Sequence, residues 1–479
     1  MRNGGTPPRI YCTMQNEKGT PVRFGTDGIR GVYGEELTDG LAMLVGNSLG
    51  IFSGKGTVVV GRDTRTSGEN LARALAEGAL AAGCNVVDLG VVTTPCVAFV
   101  TRETGANFGV MVSASHNPPR YNGIKLFAGD GRKLSREKEA AVERHIAEAK
   151  LSYAEFRGEK LPSCGMKEHY IDAVCARGNL SGVHVVLDTA NGAAGELAPE
   201  IFSRMGARVD ALFTSDDGEL INENCGALHP EILANEVVKR GADMGLCFDG
   251  DADRVIAADE KGDIVNGDKI IYILARALAA DDRLPLSAVV GTLHTNMGVE
   301  AGLNGLGIEL VRTDIGDHNV IRCMCDAGIM LGGEQSGHII LGDFLPTGDG
   351  VGARACHATQ RIASFRPRRL QGVSPEERGH PHAQKGKNRS RPRAPRIRGR
   401  GGRYARRKRA RHDTRERHGA ENPRHGGEQG PLPRRLRRPQ HRAFHPHKLR
   451  AHLKTDCTAT NKKQPLIGCF RHFNSSFGV

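Results

Sequence analysis

Residues 57–89 read TVVVGRDTRTSGENLARALAEGALAAGCNVVDL, and this stretch decides the fold class. The apolar run Thr57–Val60 is typical of a buried strand, and Asn85–Leu89 is a second run of the same kind. Between them, Ser67–Ala82 has the length and the apolar spacing of an amphipathic helix. Strands that alternate with helices of this length predict parallel or mixed sheets, and hence an α/β fold.

The same alternation of apolar runs and helical segments continues to about residue 350. The other candidate strands are Phe108–Val112, Val183–Leu187, Val209–Phe213, Met244–Phe248, Ala288–Gly291, Ile308–Val311 and Ile329–Leu331. The other candidate helices are Arg136–Ala149, Glu196–Met205, Pro230–Lys239, Lys269–Ala280 and Asp317–Ala327. The pattern predicts a flexible extension over 1–22, followed by three consecutive α/β domains over 23–165, 166–265 and 266–350.

The charge of the chain changes sign after residue 350. Residues 1–350 contain 33 Lys and Arg against 47 Asp and Glu, whereas residues 351–479 contain 34 against 7, which gives the whole chain a net charge of +13. So little apolar surface with so much like charge predicts a disordered basic tail over 351–479. A polyanion-binding arm and a change of reading frame both explain this tail, and the abruptness of the change favours the second.

Cysteine usage and hydropathy indicate a cytoplasmic protein without a membrane segment. The 12 Cys are scattered with no C-x-x-C pair, which predicts reduced thiols. No apolar run approaches the length of about 18 residues that a transmembrane helix needs, and the first residues lack the apolar core of a signal peptide.

A serine-rich turn follows the candidate strand Phe108–Val112. Residues 113–118 read SASHNP, so a hydroxyl follows the carboxyl end of a strand, where α/β sheets bind ligands. Ser115 is therefore a candidate nucleophile or phosphoryl carrier, although the same residues also suit an ordinary turn between a strand and a helix.

An acidic run follows the candidate strand Met244–Phe248. Residues 249–254 read DGDADR, and three carboxylates at alternate positions repel one another unless a cation lies among them. The EF-hand pattern fails because Arg254 stands where that loop needs Gly. Three oxygen donors that leave positions open for a phosphate predict a Mg²⁺ site for phosphoryl transfer, in preference to an exposed acidic turn.

Two further glycine-rich segments carry polar side chains. GGEQSGH at 332–338 offers a carboxylate, a hydroxyl and a histidine, which suits the hydroxyls of a sugar, and His338 is able to transfer a proton. RFGTDGIRG at 23–31 contains Arg30, which is able to hold a phosphate with two hydrogen bonds. On their own, both segments are also typical of surface turns.

Together these four motifs, in this order, resemble the α-D-phosphohexomutase superfamily, and within it the phosphoglucosamine mutases. The segments NGIK at 122–125, DTANGAA at 188–194, CGALHPE at 225–231 and RTDIGD at 312–317 are similar to the family as well, so that the resemblance covers about residues 23–350. It implies an intramolecular phosphotransferase that interconverts glucosamine 6-phosphate and glucosamine 1-phosphate through a phosphoserine and a bisphosphorylated sugar.

The resemblance also implies roles for individual residues. Ser115 would be the phosphoserine, and Asp249, Asp251 and Asp253 would bind one Mg²⁺ together with a phosphoryl oxygen of Ser115. The residues around the transferring phosphoryl group, or assisting proton movement, would be Arg30, Lys125, Arg254 and His338.

Sugar recognition would fall to the GGEQSGH loop. Glu334 and Ser336 would hold sugar hydroxyls, with His338 beside them. Gln335 favours a glucosamine phosphate, since relatives that act on glucose or mannose phosphates tend to carry Met there.

The sequence departs from the family pattern at three places. The pair His318-Asn319 and the segment Thr292–Asn296 differ from the forms usual in the family, which affects the expected substrate contacts in the third domain. The family's fourth domain grips the non-reacting phosphate with an Arg-x-Ser-Gly-Thr-Glu-Pro loop, and no such string follows Gly350. We therefore expect a missing fourth domain and impaired activity.

Two alternatives stay open. One is a phosphomannomutase or phosphoglucomutase of the same superfamily. The other is an inactive scaffold whose basic tail binds a polyanion, with nucleic acid contacted non-specifically at most.

Overall fold

Three sheets flanked by helices form the part of the chain that the computed structural model describes, residues 23–352 apart from 26 and 149. The predicted α/β class is confirmed for these residues. The strands are β1 (Ile29–Val32), β2 (Thr57–Arg62), β3 (Asn85–Val91), β4 (Phe108–Val112), β5 (Tyr121–Ala128), β6 (Lys160–Leu161), β7 (His184–Asp188), β8 (Arg208–Leu212), β9 (Met244–Phe248), β10 (Val255–Asp259), β11 (Ile264–Val265), β12 (Ala288–Thr292), β13 (Glu309–Thr313), β14 (Leu331–Gly333), β15 (Ile339–Leu341) and β16 (Leu345–Gly348). The α-helices are α1 (Asp39–Ser53), α2 (Gly68–Ala81), α3 (Thr94–Thr104), α4 (Arg136–Ala147), α5 (Met166–Cys175), α6 (Ala194–Arg204), α7 (Pro230–Arg240), α8 (Gly267–Ala280), α9 (Met297–Gly305) and α10 (Asp317–Ala327).

Some predictions fall outside these residues. The extension over 1–22 and the basic tail beyond residue 352 lie outside the described part of the chain. The domain boundaries near 165 and 265 stay predictions.

The first sheet has the strand order β1-β5-β4-β2-β3-β6. Strands β2, β3 and β4 run parallel, since α2 and α3 carry the chain back between them. Strand β5 returns antiparallel beside β4, with Lys125 opposite Met111. All five residues of β4 are buried, in agreement with its continuous apolar run.

The second and third sheets also mix parallel and antiparallel pairs. The second has the order β11-β10-β9-β7-β8, in which β7 is parallel to both β8 and β9, and β10 returns antiparallel beside β9. The third has the order β13-β12-β14-β15-β16, in which β12 is parallel to β13 and β14, and antiparallel pairs follow. The turns after the buried strands β4 and β9 carry the serine-rich and acidic runs.

Every predicted strand and helix is present, with ends that shift by up to two residues. The candidate strand Ile329–Leu331, for example, is observed as Leu331–Gly333. The elements that the pattern does not predict are helices α1, α3, α5 and α9 and strands β1, β5, β6, β10, β11, β15 and β16.

Helix α1 shows why the pattern is incomplete. Its sequence, DGLAMLVGNSLGIFS, is buried nearly all round, so it has no polar face that would mark it as amphipathic. Glycine ordinarily disfavours a helix. Here a Cβ at Gly46 would lie 1.9 Å from the carbonyl oxygen of Leu75, and one at Gly78 would lie 2.0 Å from that of Met43. The two glycines therefore allow α1 and α2 to cross closely.

The β15–β16 hairpin packs on helices that precede the third sheet. The ring of Phe344, at the tip of the hairpin, lies 5.9 Å from that of Phe99 on α3, which in turn contacts Tyr170 on α5. Arg102 donates a 2.6 Å hydrogen bond to the carbonyl oxygen of Phe344, and Arg177 stacks on its ring. These contacts join the third sheet to the elements before it.

Two further sequence predictions concern membranes and thiols. Within residues 23–352, no helix has the length and apolarity to cross a bilayer. The cysteines of this part of the chain are free thiols.

Candidate functional site

The loops after β4 and β9 meet. The hydroxyl Oγ of Ser115 donates a hydrogen bond of 2.6 Å to Oδ2 of Asp249. Ser115, Asp249, Asp251 and Asp253 are each no more than 2% exposed. The serine-rich turn and the acidic run, which lie far apart in the sequence, therefore form a single buried site.

Asp249, Asp251 and Asp253 form an acidic cluster. One oxygen from each lies within 4.8 Å of the others. Among the described residues, no hydrogen-bond partner meets Oδ1 of Asp251 or Oδ1 of Asp253. Burial, followed by repulsion from Asp253 and Asp251, raises the pKa of Asp249 to about 7. Buried carboxylate oxygens without partners at this spacing are suited to hold a metal ion.

Lys125 on β5 offsets part of this negative charge. Its Nζ lies 2.7 Å from Oδ2 of Asp251 and 2.8 Å from Oδ2 of Asp253. Burial alone would lower the pKa of Lys125, but these two carboxylates and Asp27 raise it well above its ordinary value. Burial likewise acts to raise the pKa of Asp253, and Lys125 nevertheless holds it well below its usual range. The lysine is therefore charged, and carboxylates still outnumber it.

The backbone of Ser115 is held in the left-handed region, with φ of 56°. Such a conformation persists only when surrounding contacts fix it. The fully buried guanidinium of Arg65 provides them, because it spans the turn that contains Ser115. It donates hydrogen bonds of 2.6–2.9 Å to the carbonyl oxygens of Ser115, Asn117, Pro118 and Tyr121. Asp63 accepts a hydrogen bond of 3.0 Å from the remaining Nε.

A second donor to the same turn comes from the loop before α7. Nδ2 of Asn222 donates to the carbonyl oxygens of Ser115 (2.9 Å) and Asn117 (3.1 Å). Gly250 allows this close approach, since a Cβ there would lie 2.7 Å from the carbonyl oxygen of Ser115. Asn222 thus fixes the serine turn against the acidic loop.

Arg254 adds a cation at the acidic loop. Its backbone N–H donates to Oδ1 of Asp249 over 3.2 Å, and its Nε lies 3.9 Å from Oδ1 of Asp253. This Nε is buried and, within the described residues, meets no hydrogen-bond acceptor. Its guanidinium is thus available to an anion at the site.

Arg30 adds a cation at the serine turn. It pairs with Asp27 and donates a 3.3 Å hydrogen bond to Oδ1 of Asn117. Burial, and then the charges of Arg254 and Arg30, lower the pKa of His116 to about 4. His116 is therefore neutral at pH 7, with Nδ1 3.3 Å from Oγ of Ser115.

The GGEQSGH loop approaches the acidic cluster through His338. Nδ1 of this buried histidine lies 3.8 Å from Oδ1 of Asp253, and Nε2 lies 3.7 Å from Oδ2 of Asp317. Burial opposes a charge on His338, but the two carboxylates outweigh burial and raise its pKa. A Cβ at Gly348 would lie 2.3 Å from the imidazole, so glycine is needed where β16 passes the ring.

The other two residues of this loop lie farther out. Glu334 is half-buried and accepts a 3.0 Å hydrogen bond from the backbone N–H of Gly316. Ser336 is exposed. The loop is tied to the second sheet, because the N–H of Val255 donates to the carbonyl oxygen of Gly337 over 3.0 Å.

The structure therefore brings most of the predicted site residues together. Those in contact around the acidic cluster are Ser115, Lys125, Asp249, Asp251, Asp253, Arg254 and His338. Arg30 adjoins the cluster through Asn117, whereas Glu334 and Ser336 contact neither Ser115 nor the aspartates by any hydrogen bond among the described side chains.

Arg65 and Asn222 are functional candidates that the sequence motifs did not include. A signal for Arg65 existed, because GRDTRTSG at 61–68 is a polar run at the end of the apolar strand β2. Asn222 lies in an irregular loop, and its role depends on a contact 107 residues away.

Three sequence-family models match this chain. They are the phosphoglucomutase/phosphomannomutase α/β/α domain I over residues 21–152, domain II over 168–262 and domain III over 266–364. The third match extends past the last described residue.

Curated relatives and solved structures agree with these matches. The phosphoglucosamine mutase of Thermotoga neapolitana is 49% identical over 331 residues, which are 68% of this chain and 76% of that protein. The phosphoglucosamine mutase of Symbiobacterium thermophilum is 46% identical over 342 residues, 69% of this chain and 76% of that protein. A phosphoglucomutase/phosphomannomutase family protein of Burkholderia thailandensis superposes with a TM-score of 0.64 at 27% identity, covering 71% of this chain and 77% of its own.

Proposed function

The chain belongs to the phosphoglucomutase/phosphomannomutase family, and we propose that it interconverts glucosamine 6-phosphate and glucosamine 1-phosphate through a phosphoserine at Ser115. The observation that carries the proposal is the contact between Oγ of Ser115 and Oδ2 of Asp249, inside a cluster of carboxylates with unpartnered oxygens. A buried hydroxyl beside a metal-suited cluster is suited to phosphoryl transfer through a covalent intermediate.

The acidic cluster would hold Mg²⁺. Asp249, Asp251 and Asp253 offer only oxygen donors, and the unpartnered Oδ1 atoms of Asp251 and Asp253 fit a hard cation. When bound, the ion would neutralise charge on the phosphoryl oxygens during transfer.

Phosphoryl transfer would proceed in two half-reactions. In the first, the bond between phosphorus and Oγ of phosphorylated Ser115 breaks, and a bond forms to the O1 hydroxyl oxygen of glucosamine 6-phosphate, whose proton is released. In the second, the bisphosphorylated sugar has turned over, the bond between phosphorus and O6 breaks, and a bond forms from this phosphorus to Oγ of Ser115. The proton that Oγ took up in the first half-reaction is released, and O6 gains a proton. Lys125 and Arg254 contact the aspartates, and Arg30 contacts the serine turn through Asn117. These three cations would offset the charge of the group in transit.

The sugar would be held by the GGEQSGH loop. Glu334 and Ser336 are accessible to a ligand, and His338 links the loop to Asp253. The relatives at 46–49% identity are phosphoglucosamine mutases, and Gln335 agrees with a glucosamine substrate.

We propose that complete turnover by this chain is low. No Arg-x-Ser-Gly-Thr-Glu-Pro string follows Gly350, and loss of a phosphate anchor degrades substrate positioning. The half-reaction at Ser115 is therefore the more informative assay.

The test uses the full chain with Ser115 phosphorylated by a hexose 1,6-bisphosphate and with Mg²⁺ present. Glucosamine 6-phosphate, glucose 6-phosphate and mannose 6-phosphate are then added separately, and loss of the phosphoryl group is followed by intact-protein mass spectrometry. We expect glucosamine 6-phosphate to react fastest, and the Ser115→Ala variant to take up no phosphoryl group. Faster reaction with mannose or glucose 6-phosphate would replace the proposed substrate, and no phosphorylation of Ser115 would refute the mechanism.

A further inference from the structure

Lys133 lies in the turn between β5 and α4, outside every motif discussed above. A tight turn at 128–132 aims it inward, because the N–H of Ala128 donates to the carbonyl oxygen of Arg132 and Gly131 adopts a φ of 79°. The side chain of Lys133 is only 14% exposed, and its ammonium pairs with Asp27 on one side and Asp317 on the other. Asp27 precedes β1 of the first sheet, whereas Asp317 begins α10 beside the third sheet.

Both partners of Lys133 contact residues of the candidate site. Asp27 also contacts Nζ of Lys125 over 3.3 Å, and Lys125 contacts Oδ2 of Asp253 over 2.8 Å. Asp317 lies 3.7 Å from His338, whose other ring nitrogen lies 3.8 Å from Oδ1 of Asp253.

These contacts close a ring in which cations and anions alternate. The ring runs through Lys133, Asp27, Lys125, Asp253, His338 and Asp317, and back to Lys133. Its side chains are between 1% and 20% exposed, so water screens their charges little. All three sheets contribute to it, and Lys133 is the member that joins Asp27 to Asp317.

We infer that Lys133 is a positioning residue for phosphoryl transfer: through Asp317 it holds His338 and the GGEQSGH loop in register with Ser115. Without its ammonium, Asp27 and Asp317 would face each other as like charges. The third sheet would then separate from the first at the point where the sugar loop meets the phosphoryl carrier. The kinetic part of this inference rests on the proposed function, whereas the structural part does not.

The test compares four variants of the full chain. Lys133→Met removes the charge, and Lys133→Arg keeps it. Lys133→Met/Asp317→Asn also removes the carboxylate that Lys133 pairs with. This double variant keeps the test decisive if Lys133→Met alone fails to fold. Lys138→Met is the matched control, since Lys138 lies five residues on and is exposed.

Two measurements are made on each variant. Hydrogen exchange reports the amides of Glu334 and Gly337, which close the sugar loop. The half-reaction of phosphorylated Ser115 with glucosamine 6-phosphate gives a maximal rate and a half-saturating concentration.

In Lys133→Met, we expect the loop amides to exchange about tenfold faster, because a charge-assisted contact is lost. We expect the maximal rate to fall by about 100-fold, with a smaller change in half-saturation, since a displacement near 1 Å has this effect on reacting groups. Lys133→Arg should recover most of both quantities, and the double variant should lie between Lys133→Met and the parent. Lys138→Met should match the parent.

The inference would be overturned if Lys133→Met equalled Lys138→Met both in the hydrogen exchange of the loop amides and in the rate of the half-reaction. If the parent chain transfers no phosphoryl group, the proposed function fails, while the exchange measurement still decides whether Lys133 holds the loop.

Discussion

Replacing Asn222 by Ala tests how the serine turn is held against the acidic loop. The substitution removes two hydrogen bonds, to the carbonyl oxygens of Ser115 and Asn117. Both carbonyls keep Arg65 as a donor, so neither is left buried and unsatisfied. At about 0.5–1.5 kcal/mol for each hydrogen bond, the side chain contributes about 1–3 kcal/mol to the free energy of unfolding.

Asn224 offers a matched control. It lies in the same loop and is exposed, and its φ of 51° is close to the 59° of Asn222. Ala is disfavoured in this left-handed conformation at both positions, so the backbone cost cancels when Asn222→Ala is compared with Asn224→Ala. The remaining difference belongs to the two hydrogen bonds.

The assay combines urea denaturation with the half-reaction of Ser115. We expect Asn222→Ala to be less stable than Asn224→Ala by about 1–3 kcal/mol. If this energy serves to position Ser115, phosphoryl transfer slows by between about fivefold and 150-fold, because 1.36 kcal/mol corresponds to a factor of ten in rate. Equal stability and equal rates in the two variants would refute the role assigned to Asn222.

Three other predictions concern the acidic cluster and the buried carboxyl group of Asp349. Mg²⁺ at 100 times its dissociation constant should raise the free energy of unfolding by about 2.7 kcal/mol. In thermal unfolding, Asp251→Asn should diminish this stabilisation, whereas Asp216→Asn, at an exposed position, should retain it. Equal stabilisation of the two variants by Mg²⁺ would contradict the metal site. Lys125→Met should lower the free energy of unfolding of the metal-free protein by about 3–5 kcal/mol in urea denaturation, because the buried carboxylates of Asp251 and Asp253 lose their cation. A loss below about 1 kcal/mol would show that these two carboxylates are not charged in the native state. Burial raises the pKa of Asp349, which accepts a hydrogen bond from Tyr170, to about 7. The native state then keeps a proton that the unfolded state loses near pH 4, so the free energy of unfolding should decline by up to about 4 kcal/mol as the pH rises from 4 to 7. The decline should be smaller in Asp349→Asn than in the parent chain. Parallel pH profiles of the free energy of unfolding in the two proteins would contradict the raised pKa of Asp349.

The sequence motifs include most residues of the candidate site but not the residues that hold them in place. Ser115 and the aspartates lie in short motifs that follow apolar strands, so local patterns predict that both groups lie at the ends of buried strands. The phosphoserine role of Ser115 comes from the family resemblance and stays a prediction. Lys133 and Asn222 lie in turns without a motif, and each contacts a partner far along the chain. Such pairings depend on how the sheets pack, which local patterns do not encode.

The same distinction applies to the fold. Strands β4 and β9 are continuous apolar runs that bury both faces, and both are predicted. Helix α1 is not, because its glycines look like helix breakers until α2 is found to cross at them. Short strands such as β15 hold few residues, too few for a periodic pattern to show.

The most direct test of the account is whether Ser115 exchanges a phosphoryl group with a glucosamine phosphate. The full chain would be incubated with Mg²⁺ and glucosamine 1,6-bisphosphate, and peptides that contain residues 113–118 would be sequenced by mass spectrometry before and after glucosamine 6-phosphate is added. The account predicts a phosphoryl group on Ser115, absent from Ser113, that is removed by glucosamine 6-phosphate and does not form when Mg²⁺ is chelated. An unmodified Ser115, or a phosphoryl group that the sugar phosphate cannot remove, would contradict it.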